Sequence, residues 1–268
     1  MKKYCISIIF FFYIGLILYL FITGYLSHFL APNMQKYCFF AIPILGMIAV
    51  AAIFNQKFVY SFKFFDFILI LPLFAVFFIG DGQLSVSLAK NRSNNFKVAT
   101  SKLENQVGQK EEQSEKPNYS TQDFDFTKID YDIVDEAYSA IVDYLSDTKG
   151  IQTAVGKTVR IRGFAVKDAD YITPGFFAIG KYNISCCTAD ASVFGLLVDS
   201  DLSKIEEGGW YEISGVLEKI TNKWGYETLA IRAIKLTEID KTKEQLYIYP
   251  CYAYGNGTCS SLTQYNLK

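Results

Sequence analysis

The chain has 268 residues and a mass of 30.4 kDa, with 26 Lys+Arg against 27 Asp+Glu and a formal net charge of −1. A content of 51% hydrophobic and 16% aromatic residues, with mean hydropathy +0.17, is too apolar for an ordinary soluble protein and excludes collagen-like and disordered classes. The charge is also uneven: residues 1–90 hold six Lys and two Asp, net +4, and the rest carries net −5, so a membrane half is joined to a soluble half with no basic excess for coating nucleic acid.

In chain order, the first predicted element is a span over residues 6–26. No Lys, Arg, Asp or Glu occurs from Tyr4 until Lys36, and the run exceeds the ~20 apolar residues needed to cross a bilayer. A cleaved signal peptide is the competing reading, but the run is long and no small-residue cleavage site follows it. Cys5 is no lipid-attachment cysteine, because the apolar segment follows it rather than preceding it. His28, the one histidine of the sequence, falls at the outer end of this span and reads as a polar interfacial anchor rather than a ligand.

A second span is expected over residues 37–54, with Pro43 and Gly46 tolerated inside it. A third, over residues 64–80, is weaker, because it must include Asp66; a re-entrant segment is its competitor. Lys2, Lys3, Lys57 and Lys63 lie at the ends assigned to the cytoplasm, with Lys36 alone on the other side. The positive-inside bias therefore puts the amino terminus in the cytoplasm, and three crossings carry everything after Gly80 to the outside. The expected location is a multi-pass cell-membrane protein with an extracytoplasmic carboxyl-terminal domain.

Residues 91–130 are rich in Asn, Gln, Ser, Lys and Glu, which predicts a flexible linker. Residues 131–150 predict a short amphipathic helix, since Val134, Ala137, Tyr138, Ile141 and Leu145 recur at helical spacing. From Gly156 the hydrophobic period changes to two. Lys157–Val166, Phe176–Ser185, Ser192–Asp199, Trp210–Ile220 and Tyr226–Leu236 predict five strands, with a helical turn at Asp201–Glu207 and a hairpin connection at Asn222–Gly225. Five strands with an insert between the third and fourth fit a soluble all-β OB-like barrel over residues 151–248, with a two-layer sandwich as runner-up. OB barrels often bind nucleic acid, yet residues 151–268 carry 13 basic and 13 acidic side chains, so no nucleic-acid partner is expected.

Cys186, Cys187 and Asp190 offer two thiols and a carboxylate, a donor set suited to zinc or a similar ion. Neighbours in a regular strand point to opposite faces, so both sulfurs reach one ion only if the strand ends or bulges there. The competing reading buries one cysteine in the barrel and leaves the other at its edge. A disulfide between adjacent residues is strained. Cys251 and Cys259, in the tail 249–268, are candidates for an ordinary disulfide outside the cell, although pairing with Cys186 or Cys187 stays open. No Ser/His/Asp set, HExxH, P-loop or GxGxxG occurs, and no enzymatic activity is expected.

Several stretches together resemble the YcgQ-like family of permease-subunit membrane proteins. They are Tyr25 and Pro32 near the first span, Leu71-Pro72, Leu84-Ser85, Leu88 to Arg92, Gly156-Lys157 with Val159, Ile161, Gly163 and Phe164, Ile184 to Ala191 around the two cysteines, and Trp210 with Gly215. Ser93 departs from the glycine typical after Asn-Arg, and the tail beyond Tyr254 looks like an addition. The resemblance implies an accessory subunit that partners a separate multi-span permease. Three nearly uncharged spans offer little of the polar lining that a solute path needs, which agrees with that reading. The expected function is therefore an accessory membrane subunit whose outward domain docks on the permease or delivers solute to it. An extracytoplasmic metal-binding module is the alternative, and a thiol-disulfide enzyme, lacking a Cys-x-x-Cys, ranks last.

Overall fold

The computed structural model describes residues 5–54, 97–98, 129–133, 138–167, 172–222 and 224–250. Residues 64–80, Cys251 and Cys259 lie outside them, so the third span and the tail disulfide fall beyond what is described. The chain divides into two compact units.

The first unit contains α1 (Cys5–Ile22), a 3-10 turn (Tyr25–His28), α2 (Pro32–Phe54) and the segment Ile184–Asp190. α1 stops at Ile22, short of the expected Leu26. The Thr23 hydroxyl donates back to the Tyr19 carbonyl at 2.7 Å, and Gly24 takes φ 76, a left-handed conformation that only glycine adopts without strain. α2 starts earlier than expected, because Pro32, with φ preset and no amide to satisfy, suits the first position of a helix. The helices run antiparallel: the Ser7 hydroxyl donates to the Ala49 carbonyl at 2.9 Å, while Phe21 and Phe39 meet edge to face at the other end. Among the described residues, α2 is the one helix long and apolar enough to cross a membrane, and the richest part of it is only 6% buried. Its 23 residues rise about 34 Å, against about 27 Å for α1. The expectation of three transmembrane helices is thus not supported; among the described residues one helix meets the requirement.

The second unit is a five-strand β-barrel. β1 (Lys97–Val98), β2 (Tyr131–Ile133), α3 (Tyr138–Ser146) and α4 (Thr148–Ala154) precede β3 (Thr158–Val166), β4 (Phe176–Asn183) and β5 (Ser192–Asp199); β6 (Trp210–Thr221), β7 (Glu227–Glu238) and β8 (Tyr247–Ile248) follow. β3 pairs antiparallel with β4 and with β6, β4 with β5, and β6 with β7; a parallel β5–β7 pairing closes the ring. The two-residue period explains the core: Val159, Ile161 and Ala165, Phe177 and Ile179, Leu196 and Val198, Ile213 and Leu217, and Leu229 and Ile231 all point inward and are buried. Tyr138, Ile141, Val142 and Leu145 of α3, with Ile151 of α4, join the same cluster. On β7 a bulge opposite Ser214/Gly215 restores the alternation after Ala233, bringing Leu236 rather than Lys235 to the core side.

Tight curvature requires close backbone approach, and a line of glycines supplies it. A Cβ on Gly163 would meet the Gly180 carbonyl oxygen at 2.4 Å, one on Gly180 the Phe194 oxygen at 2.5 Å, and one on Gly195 the Ile179 oxygen at 1.9 Å. The three positions cross β3, β4 and β5 side by side.

Two expectations need correction. The amphipathic helix does not occupy the whole of 131–150: Tyr131–Ile133 form a strand parallel to β3, held by the Arg160–Asp132 ion pair and by the Asp130 carboxylate, which accepts from the Thr158 amide at 2.9 Å. The linker 91–130 is not featureless either, since Lys97 and Val98 pair with Phe194 and Gly195.

Candidate functional site

The Cys-Cys segment is built where β4 ends. After Asn183 the chain leaves the ladder and Ile184 is buried, so the opposite-face rule of a regular strand no longer governs Cys186 and Cys187. Asp190 shapes the turn. Its carboxylate accepts the Ser185 amide at 3.1 Å and the Cys186 amide at 2.7 Å, while its own amide donates to the Cys187 carbonyl at 3.0 Å. Both sulfurs come to one side, 3.7 Å apart, with Cys186 exposed and Cys187 half-buried.

Within the same unit this segment meets the turn between α1 and α2. Leu30 and Cys187 form an antiparallel bridge; the Ala31 amide donates to the Cys186 carbonyl and the Thr188 amide to the Phe29 carbonyl, each at 3.0 Å. His28, two residues before Leu30, stacks edge to face on Tyr25 with ring centres 5.4 Å apart. The Asp190 carboxylate and the Cys187 thiol hold the proton on Cys186, pushing its pKa up to about 12.

The expected set of Cys186, Cys187 and Asp190 is therefore not assembled as three donors around one point, and among the described residues no group of three His, Cys, Asp or Glu side chains is placed to hold an ion. Each Asp190 oxygen accepts a backbone amide, and the carboxylate also faces the Cys186 thiol. The sulfurs are together; the carboxylate organises them.

A second cluster escaped the sequence reading. Lys181 follows Phe177 and Ile179 on the inward face of β4 and is 1% exposed. Its Nζ lies 3.6 Å from Glu244 Oε2 and above the rings of Tyr138 and Trp210. Glu244 is shared with Arg162, which also binds Glu212 at 2.6 Å. The Tyr138 hydroxyl is buried, and burial pushes its pKa upward, so it stays neutral. The inward step of two residues from Ile179 to Lys181 was the available signal. Lys181 lies inside the strand predicted over Phe176–Ser185, and nothing nearby in the sequence marks Glu244 as its partner.

Outside the barrel, Arg232 meets Glu218 at 2.7 Å and Lys219 meets Glu227 at 2.8 Å. At the β6–β7 turn the Asn222 side chain accepts the amides of Trp224 and Tyr226, both at 3.0 Å, and Gly225 takes φ 84.

Residues 106–250 match the family described as the DUF1980 C-terminal domain, which is uncharacterised. No curated protein matches the chain.

Proposed function

Taking as premise that the chain belongs to the DUF1980 C-terminal domain family, we propose that it is an accessory membrane subunit of a permease, of the YcgQ-like kind. The observation that carries this reading is α2. A helix of 23 residues, apolar on every side and 6% buried in its richest part, needs lipid or partner helices as its solvent.

The barrel supports the reading from the other side. Its strand order β3-β4-β5-β7-β6, with a parallel closure between β5 and β7, supports reading it as an OB-like barrel, a fold that commonly presents a binding face. In this proposal the barrel stands outside the cell, docks on a multi-span permease and delivers solute to it, and the helices anchor the assembly in the bilayer.

The experiment is mild-detergent solubilisation of native membranes followed by affinity isolation of the chain. A multi-span membrane protein at constant stoichiometry, whose transport output falls when this chain is deleted, is the expected result. Isolation of the chain without such a partner, together with unchanged transport on deletion, overturns the proposal. Orientation is read separately: in intact reduced cells a membrane-impermeant thiol reagent is expected to label Cys251 and Cys259, and labelling only after lysis would place the barrel in the cytosol.

A further inference from the structure

We propose that Cys186 and Cys187 form a two-thiolate chelate for a zinc-class divalent cation, with Asp190 as its positioning residue rather than a ligand. The inference stands apart from the permease reading and needs no partner protein.

The bite of the pair matches such an ion. A tetrahedral ion with bonds of about 2.3 Å to thiolate sulfur holds two such sulfurs about 3.8 Å apart. The two sulfurs here are 3.7 Å apart, so an ion can be received without rebuilding the turn. That separation is far from the ~2.05 Å of a disulfide, and adjacent Cα atoms, ~3.8 Å apart, fall below the usual disulfide range.

The pair is preorganised as well. Two adjacent cysteines in a flexible loop would lose backbone and side-chain freedom on closing around an ion. In this chain the backbone is already fixed on both sides. The Asp190 carboxylate holds the Ser185 and Cys186 amides, and the carbonyls of Cys186 and Phe29 accept the amides of Ala31 and Thr188. Organising groups of this kind around metal ligands typically carry a tenfold to hundredfold effect on affinity, about what is assigned to Asp190.

The site is also accessible. Structural zinc sites are closed by four protein donors. Cys186 is exposed, and two sulfurs leave about half of a tetrahedral shell to water or to a donor from another molecule. Such a chelate suits capture and hand-over of an ion more than locking a fold. On binding, the dication displaces one proton from each thiol to solvent, two metal–sulfur bonds form, and no oxidation occurs.

The test uses the full-length chain in detergent, reduced and stripped of metal, titrated with Zn²⁺ and, for spectroscopy, with Co²⁺. One ion per chain and a sulfur-to-cobalt charge-transfer band are expected. The band should vanish in Cys186→Ser and in Cys187→Ser and persist in Cys38→Ser. In Asp190→Ala the band should keep its intensity at saturation while affinity falls about tenfold to a hundredfold, a combination that loss of fold would not produce. A second measurement avoids variants altogether: Zn²⁺ should protect the peptide carrying Cys186 and Cys187 from alkylation, read by mass spectrometry. Undiminished binding in the double cysteine variant, or alkylation of that peptide unaffected by saturating Zn²⁺, overturns the proposal.

Discussion

The helical unit and the barrel use apolar residues in opposite ways. In α1 and α2 the large side chains face outward: Ile22 is 81% and Phe54 79% exposed, and a polar face is missing. In the barrel the strands turn one face inward, and among the described residues Val155, Trp224 and Tyr226 are its exposed large hydrophobics. Similar composition is thus arranged in two ways. The barrel encloses its own apolar interior, whereas the helices leave most of their large apolar side chains exposed, and it is the periodicity that tells the two apart.

The sharpest way to break this comparison is by adding volume to each unit. In Gly195→Val the new Cβ would lie 1.9 Å from the Ile179 carbonyl oxygen, so urea unfolding of the barrel should show a loss of about 3 kcal/mol or more. Gly46→Ala in α2 meets nothing within 4 Å and should be neutral or favour the helix by under about 1 kcal/mol. Equal effects at the two glycines would remove the contrast.

Charge sharpens it next. Glu244→Gln removes the carboxylate that faces both Lys181 and Arg162, leaving a buried ammonium without that anion; a loss of about 3 kcal/mol in denaturant unfolding is expected. Lys181→Met, which removes the buried charge and keeps the volume, should cost no more than about 1 kcal/mol. In the helical unit, Ile44 lies near the middle of α2 and is 52% exposed. Ile44→Lys should cost about 2.5 to 3 kcal/mol of membrane insertion, read as the fraction of chains resisting alkaline extraction. A helix surrounded by water would show no change.

The smallest effect concerns two short turns of the barrel unit. The Asp240 carboxylate accepts the Thr242 amide and hydroxyl, and the Asp201 carboxylate binds Ser203 in the same way; these bonds hold both carboxyls below their usual pKa. Because the folded values are depressed, their contribution is present above the ordinary carboxyl range near 3.8 and is lost as pH falls through the lower folded values. Asp240→Asn should therefore make the acid limb of the stability profile, below about pH 4, slightly shallower and leave neutral stability nearly unchanged. An unaltered acid limb would separate this turn from the titration.

The five barrel strands were legible because half-buried strands write their burial into alternation, as in Val159, Ile161 and Ala165. Their ends moved by up to two residues. β2 was not legible: Tyr131–Ile133 is three residues long, and its pairing with β3 rests on an ion pair to a partner 28 positions away. Helix length in the first unit was misjudged where a side-chain hydrogen bond from Thr23 and the conformation of Gly24 end α1, features that hydropathy does not weigh. At the Cys-Cys segment, residue types suggested donors but not geometry. The strand's end at Asn183 and the amide-binding role of Asp190 decide which atoms converge, and both depend on contacts made only in the folded chain. For Lys181 the two-residue step from Ile179 was the one mark, and it was not enough, because a buried cation becomes sensible only beside Glu244, far away in sequence.

The edges of the barrel strands bear on recognition. β5 is hydrogen-bonded on one side to β4 and on the other to β7 over Leu197–Asp199 and to β1 at Phe194 and Gly195, while β2 lies along β3 and β8 along β4, each in parallel. Where the five strands part, short strands of the same chain thus take the edge positions that a visiting peptide would use to extend the sheet. With those short strands in place, what remains to be read is side chains on the outer wall and the connections at its mouths.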